Sequence, residues 1–181
     1  MKKTRLRVIT ECGMFIAASL ALSTFKIYKL PNGGSVSLGC MPLVLLSARH
    51  GIRIGVLCGI LQGLLMTIIS PSIIHPLQFI LDYPLAYACI GFSGIFVWYD
   101  EKQSVTILSL KAVVATTVAY FLRMIMHVVA AIVFFSDGKA FKEALAFGIT
   151  YNLSHILPET ILCAIFVWLI TYNRNQLCAK Q

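Results

Sequence analysis

The sequence contains little charge for its length. Of the 181 residues, 12% are charged and 59% are hydrophobic, and the mean hydropathy is +0.85. Soluble domains carry roughly 25% charged and 45–50% apolar residues. Too few polar side chains are therefore present to cover a surface exposed to water. The composition excludes a soluble globular enzyme, a disordered chain and a secreted disulfide scaffold, and it predicts one domain embedded in a lipid bilayer.

Motifs that would indicate catalysis or metal binding are also missing. The six cysteines form no CxxC pair, and the chain has neither a GxxxxGK[ST] phosphate-binding loop nor an HExxH pattern. We therefore predict no metal, no other cofactor and no ATP hydrolysis by this chain. The net charge of +8 comes from basic residues that lie between apolar runs, so we expect no nucleic-acid partner.

Six apolar stretches run along the chain. A transmembrane helix needs about 17–25 apolar residues, and only the second stretch is clearly shorter than that. Because a backbone exposed to lipid must satisfy its own hydrogen bonds, all six are predicted to be helices. The predicted fold class is an all-α integral membrane protein, a six-transmembrane-helix bundle in one domain, with helices at 8–25, 35–48, 52–70, 76–98, 107–135 and 144–171.

The basic residues in the predicted loops and at the ends of the spans indicate the orientation. Cytoplasmic loops of membrane proteins carry an excess of lysine and arginine. With both termini on the cytoplasmic side, ten of these residues fall inside and four fall outside. We therefore predict a multi-pass protein of the bacterial cell membrane with cytoplasmic N- and C-termini.

Three of the predicted spans carry polar residues in the spacing i, i+3, i+7, which places each set on one helix face. Ionisable side chains at membrane depth are costly and usually functional. The three polar faces are therefore predicted to point toward one another rather than toward lipid. They are formed by His75, Gln78 and Asp82, by Tyr120, Arg123 and His127, and by Asn152, His155 and Glu159.

Three of these residues reach a common level in the outer half of the bilayer. At about 1.5 Å of rise per residue, Asp82, His127 and Asn152 lie at similar depths below the outer helix ends. A carboxylate, an imidazole and a carboxamide suit a flat heterocycle that carries an amino group, and the carboxylate favours a cation. Asp82 is predicted to be unpaired, because no lysine or arginine lies at its level.

Aromatic residues near this level are candidates for the walls of such a pocket. Tyr83, Phe135 and Tyr151 are close in sequence to the polar residues and offer stacking or cation–π faces. Arg123 and Glu159 lie deeper, and we predict that they form a structural ion pair below the pocket. For His155 the residues leave open whether it packs helices together or binds ligand.

Small residues recur every four positions in two spans. Gly51, Gly55, Gly59 and Gly63 follow one another in the third span, and Gly13, Ala17 and Ala21 in the first. Such spacing permits close approach of helix backbones. The third-span glycines are predicted to pack within the bundle. For the first span, internal packing and docking to another membrane protein both remain open.

Several stretches together resemble one family, the thiamine-specific substrate-binding (S) components of energy-coupling factor transporters. They follow the order of that family and cover nearly the whole chain. These stretches are LPNGGSVSLGCMP at 30–42, LVLLSARHG at 43–51, LDYP at 81–84, His127 followed by FFS at 134–136, and YNLSHILPE at 151–159.

The resemblance implies six membrane helices and capture of thiamine from outside without any chemistry on it. It also implies association with a membrane coupling protein and two cytoplasmic ATPases. By the same resemblance, Gly13 and Ala17 contact the coupling protein. From its Pro-Asn-Gly-Gly turn and its outer position, we expect the loop at 26–34 to cover the pocket. The thiamine-binding residues that we predict are Asp82, Tyr83, His127, Phe135, Tyr151 and Asn152.

Two alternatives remain at this point. The first is an S component for another vitamin or for a thiamine precursor. The second belongs to a different class, an intramembrane metalloenzyme that would use His127, His155 and Glu159, although the spacing of these residues is not that of a known zinc motif.

Overall fold

The computed structural model describes residues 2–31, 34–95, 104–135 and 138–178, and helix dominates these parts of the chain. Between α1 and α2 the chain forms a short two-stranded hairpin. In chain order the elements are α1 (Lys2–Thr24), β1 (Lys26–Lys29), β2 (Ser35–Ser37), α2 (Met41–His50), α3 (Ile52–Ile69), α4 (Pro76–Ile80), a π-helical turn (Leu81–Leu85), α5 (Ala86–Ile90), a 3-10 turn (Gly91–Ile95), α6 (Val105–Phe134) and α7 (Phe141–Cys178).

Four of the described helices, α1, α3, α6 and α7, are long and apolar enough to cross a bilayer. Their outer sides carry large apolar side chains, such as Ile68, which is 78% exposed, and Phe121, which is 60% exposed. In water such surfaces would be unfavourable, whereas lipid chains cover them readily. This architecture confirms the predicted class of helical membrane protein.

The second predicted helix, 35–48, begins differently in the structure. Its first residues form β2, which pairs antiparallel with β1 so that Lys26 lies opposite Ser37 and Lys29 opposite Ser35. Helix α2 starts only at Met41 and has ten residues. Pro42 lies in its first turn, where a missing backbone N–H costs nothing. The hairpin therefore replaces the first turns of the predicted helix.

The fourth predicted helix, 76–98, is a composite rather than one regular helix. Pro84 lies inside it and has no backbone N–H for the helical ladder. Residues Leu81–Leu85 form a π-helical turn there, a local widening that often occurs at functional sites. This turn carries Asp82 and Tyr83. Residues 96–98, the end of the prediction, lie outside the described residues.

The other helix bounds differ from the prediction by a few residues at most ends. Helix α1 begins at Lys2 rather than at residue 8, and its charged first turns are supported by an ion pair of 2.9 Å between Arg7 and Glu11, four residues apart. Helix α7 extends from Phe141 to Cys178, past both ends of the predicted 144–171.

Glycines of α3 permit direct contact with the backbone of the composite segment. A methyl group at Gly63 would collide with the carbonyl oxygen of Tyr83, and one at Gly59 with that of Tyr87. Gly55, Gly59 and Gly63 thus pack within the bundle, as predicted, whereas Gly51 precedes α3 and a methyl group there would meet no neighbour within 4 Å. Helix α3 therefore lies directly against the backbone of the π-helical turn that carries Asp82.

Helix α2 is tied to α1 near both of its ends. Midway along α1, Glu11 accepts from Arg49 at 2.8 Å and lies 2.8 Å from a ring nitrogen of His50, at the end of α2. Further along α1, the Ser19 hydroxyl donates to the carbonyl of Gly39, just before α2. These contacts use one side of α1 and leave its small-residue side exposed.

Candidate functional site

A cavity lies between the hairpin, the loop after α3, the π-helical turn and helices α6 and α7. All six residues predicted to bind ligand line it: Asp82, Tyr83, His127, Phe135, Tyr151 and Asn152. Its lining also includes residues that the prediction had not assigned to the pocket, namely Ser23, Lys26, Gly34, Ser35, Ser37, Met66, Ser70, Ser72, Gln78, Tyr87, Arg123, Ala131, Phe147, His155 and Glu159.

The carboxylate of Asp82 is the centre of the polar wall. One of its oxygens lies 2.7 Å from Nδ1 of His127, and the other accepts from Nε2 of Gln78 at 2.6 Å. The prediction that Asp82 is unpaired is therefore wrong. It considered only lysine and arginine, whereas an imidazole from α6 and an amide one turn away supply the donors. Each carboxylate oxygen retains a further lone pair.

His127 has a second ring nitrogen available for a ligand. Its Nε2 is buried and has no hydrogen-bond partner among the residues that the structure describes. When Nδ1 donates to Asp82, the neutral imidazole keeps its lone pair on Nε2. A buried acceptor without a partner is unfavourable until a donor reaches it. The Asp82–His127 pair therefore offers hydrogen-bond acceptors to the cavity.

Helix α7 contributes an amide and a second imidazole. The side-chain nitrogen of Asn152 donates to the carbonyl of Gly148 at 2.8 Å, which leaves its oxygen for another donor. His155 lies edge-on to His127, with ring centroids 6.3 Å apart. A methyl group at Gly34 would lie 2.8 Å from His155, so the hairpin rests directly on this ring.

The aromatic residues of the cavity differ in which of their atoms are available to a ligand. The Tyr83 hydroxyl accepts from the backbone N–H of Ser72 at 2.7 Å and donates to the carbonyl of Ser70 at 2.9 Å. Its ring, but not its hydroxyl, is therefore available to a ligand. Tyr151 stacks on Phe147, with centroids 5.6 Å apart. The prediction omitted Phe147, although it lies one helical turn before Tyr151.

Arg123 and Glu159 form the predicted ion pair. Their side chains are 9% and 3% exposed and approach to 2.8 Å. The guanidinium also lies 5.1 Å from the centre of the Tyr87 ring, and the Ser37 hydroxyl is 3.5 Å from the carboxylate. Both residues line the cavity, so the prediction that the pair lies below the pocket is wrong: the pair is part of the cavity wall and connects α6 to α7.

Other predicted residues lie away from the cavity. Gly13 and Ala17 are on the exposed side of α1, and a methyl group at Gly13 would have no neighbour within 4 Å. His75 caps the start of α4 and stacks on Phe134 at 4.9 Å between centroids.

Gln78 lines the cavity, although the prediction placed it on the polar face without assigning it to the pocket. Its position four residues before Asp82 was the signal that could have identified it.

The metal-binding alternative finds no support in the geometry. Within residues 2–31, 34–95, 104–135 and 138–178, no three histidine, cysteine, aspartate or glutamate side chains are arranged to hold a metal ion. Glu159, which that alternative needs as a ligand or base, is paired with Arg123.

A membrane-embedded helical bundle with a cavity of acceptors, amides and aromatic rings defines a class, the membrane proteins that bind a small organic molecule. Comparison with known proteins narrows this class. The chain belongs to the thiamine transporter protein family, whose model matches residues 9–179.

Two relatives show how far the similarity extends. The thiamine transporter ThiT of Bacillus subtilis (strain 168) is 34% identical over 170 residues, covering 90% of this chain and 88% of that protein. A solved structure of ThiT from Listeria monocytogenes superposes with a TM-score of 0.82 at 25% identity, covering 96% of this chain and 98% of the other.

The ion pair leads to a stability prediction. Changing Glu159→Gln leaves a buried guanidinium without its counter-charge, which costs about 3–5 kcal/mol of unfolding free energy. We expect a clear fall in thermal stability in detergent. The double variant Arg123→Met with Glu159→Leu removes both charges and is expected to regain most of the loss. A single variant as stable as the unmodified protein would contradict the assignment.

Proposed function

We propose that this protein captures thiamine at the outer side of the membrane as the substrate-binding subunit of an energy-coupling factor transporter. The observation that carries the proposal is the meeting of all six predicted residues in one cavity of a thiamine transporter family member. The protein changes no covalent bond in its ligand. Release on the cytoplasmic side is driven by a membrane coupling protein with two ATPases.

The roles of the side chains follow from their free atoms. The Asp82 carboxylate accepts from the amino group of the pyrimidine or offsets the charge of the thiazolium ring. His127 accepts through Nε2, and Asn152 through its side-chain oxygen. Tyr83, Phe135 and Tyr151 supply ring faces for stacking. The hairpin, which touches His155 through Gly34, covers the bound molecule.

Substitution of two polar residues tests the pocket. A hydrogen bond to a charged group contributes about 1.5–3 kcal/mol, so Asp82→Asn is expected to weaken thiamine binding by about tenfold or more. Asn152→Ala removes a buried amide and is expected to weaken binding by about fivefold or more. Calorimetry or tryptophan fluorescence of the purified protein measures both changes.

Asn173 offers a matched control for Asn152. It lies on the same helix and also donates to the carbonyl four residues earlier, but it is exposed. Asn173→Ala should leave the affinity unchanged. Unchanged affinity in both Asp82→Asn and Asn152→Ala would reject the pocket. A free pyrimidine precursor or another vitamin that binds more tightly than thiamine would show that the ligand is different.

The topology is proposed together with the function. Six membrane-spanning segments with both termini in the cytoplasm agree with the distribution of lysine and arginine along the sequence. The four long helices supply four of the segments, and α2 and the composite segment of α4 and α5 supply the others.

Reporter fusions test this topology. Green fluorescent protein after Gln181 should fluoresce, because it folds in the cytoplasm. Alkaline phosphatase inserted between α6 and α7 should be active, because that connection is predicted to lie outside. The opposite pair of results would invert the orientation.

The exposed side of α1 is the proposed contact for the coupling protein. Gly13 and Ala17 are one helical turn apart, and neither is covered by the bundle. Small residues at that spacing allow a partner helix to approach closely. This assignment came from the family resemblance, and the exposure of both residues supports it.

Larger side chains at this face should separate binding from transport. Gly13→Leu with Ala17→Leu is expected to leave thiamine affinity unchanged and to lower recovery of the coupling protein, and uptake by cells, by about tenfold or more. Ala146→Leu is the control, because Ala146 is an exposed alanine on α7. Normal uptake by the double variant would place the coupling face elsewhere.

A further inference from the structure

Gln78 is buried beside the cavity, and its uncharged amide makes three hydrogen bonds. It is 2% exposed and lines the cavity. Its nitrogen donates to Asp82 at 2.6 Å and to the carbonyl of Ser72 at 3.1 Å. Its oxygen accepts from the backbone N–H of Ile74 at 3.2 Å.

The two backbone contacts determine which way this amide points. The N–H of Ile74 can only donate, and the carbonyl of Ser72 can only accept. The oxygen of Gln78 must therefore face Ile74, and its nitrogen must face Ser72. That nitrogen is the atom 2.6 Å from Asp82, so the loop after α3 forces a donor onto the carboxylate.

The other charged groups around the cavity, and His155, have partners other than Asp82. Arg123 is paired with Glu159, and the Lys26 ammonium donates to the Ser70 hydroxyl at 3.0 Å. His155 is directed to the carbonyl of Tyr151 at 3.3 Å. Within the described residues, the side-chain partners of Asp82 are thus Gln78 and His127.

A carboxylate that receives donors on both oxygens is held as a pure hydrogen-bond acceptor. The free nitrogen of His127 is an acceptor as well when Nδ1 donates to Asp82. This part of the wall therefore suits a ligand that donates and repels one that presents an oxygen at the same place. Sites built to hydrogen-bond one substrate group discriminate strongly against an analogue that lacks it.

We propose that Gln78 is a positioning residue that determines specificity: it holds Asp82 as an acceptor and so selects an amino-bearing heterocycle over its oxo analogue. This inference rests on the proposed function, because the amino group concerned is the one on the thiamine pyrimidine. Gln78 thus contributes to recognition of the amino group without having to touch the ligand.

Two substitutions of similar size test the proposal. Gln78→Glu places a second carboxyl beside Asp82, and two carboxyls at this distance share a proton. Because that proton bridges the two carboxyls, Asp82 loses the fixed donor from Gln78 and is no longer held as a fully ionised acceptor, so preference for thiamine over the analogue with an oxo group in place of the amino group should fall by about tenfold or more. Gln78→Met removes the donor, and thiamine affinity should fall by about tenfold.

Gln62 is the matched control for the second substitution. It is also a fully buried glutamine, on α3, but neither polar atom of its side chain has a hydrogen-bond partner in the part of the chain that the structure describes. Gln62→Met should therefore leave thiamine affinity and ligand preference unchanged. A loss equal to that of Gln78→Met would show a general effect of removing a buried amide and would overturn the proposal.

The unmodified protein provides a measurement that does not depend on the folding of any variant. Calorimetric titration should show a preference for thiamine over the oxo analogue of about 100-fold or more. Equal binding of the two would overturn the inference, as would an unchanged preference in a folded Gln78→Glu protein. Failure of the unmodified protein to bind thiamine at all would instead reject the proposed function.

Discussion

The structure of the site depends on supplying hydrogen-bond donors to the Asp82 carboxylate inside a bundle that lipid surrounds. A partly buried carboxylate is favourable only when donors reach its oxygens, and here Gln78 and His127 supply them. Each donor needs its own support. The loop after α3 orients Gln78, and the glycines of α3 let the π-helical turn sit close enough for these contacts to form. Distant features of the fold thus converge on one side chain.

Helix α6 supplies the basic partner of each carboxylate that lines the cavity. His127 meets Asp82 on the composite segment, and Arg123, one turn earlier, meets Glu159 on α7. Two contacts on one face of α6 therefore fasten the segments on either side of it. Arg123 also balances the charge of Glu159, whereas a neutral His127 gives Asp82 a hydrogen-bond donor without balancing its charge.

Much of this arrangement could be predicted from the periodicity of polar residues within apolar runs. The spacing i, i+3, i+7 placed Asp82, His127 and Asn152 on facing helices because an α-helix repeats every 3.6 residues. The hairpin was missed because a window of apolar residues does not distinguish a strand from the start of a helix. The pairing of Asp82 was missed because depth along a helix says nothing about which neighbouring side chain reaches it.

The ties between α1 and α2 have a mechanical consequence for the hairpin. Glu11 joins α1 to the end of α2, and Ser19 joins α1 to Gly39 just before α2 begins, so α2 is held against α1 at both of its ends. The hairpin leaves from α1 and returns to α2, and both of its anchors therefore belong to the same pair of helices. Separation of Gly34 from His155 therefore requires the hairpin to bend at these two anchors, or α7 to move relative to α1 and α2.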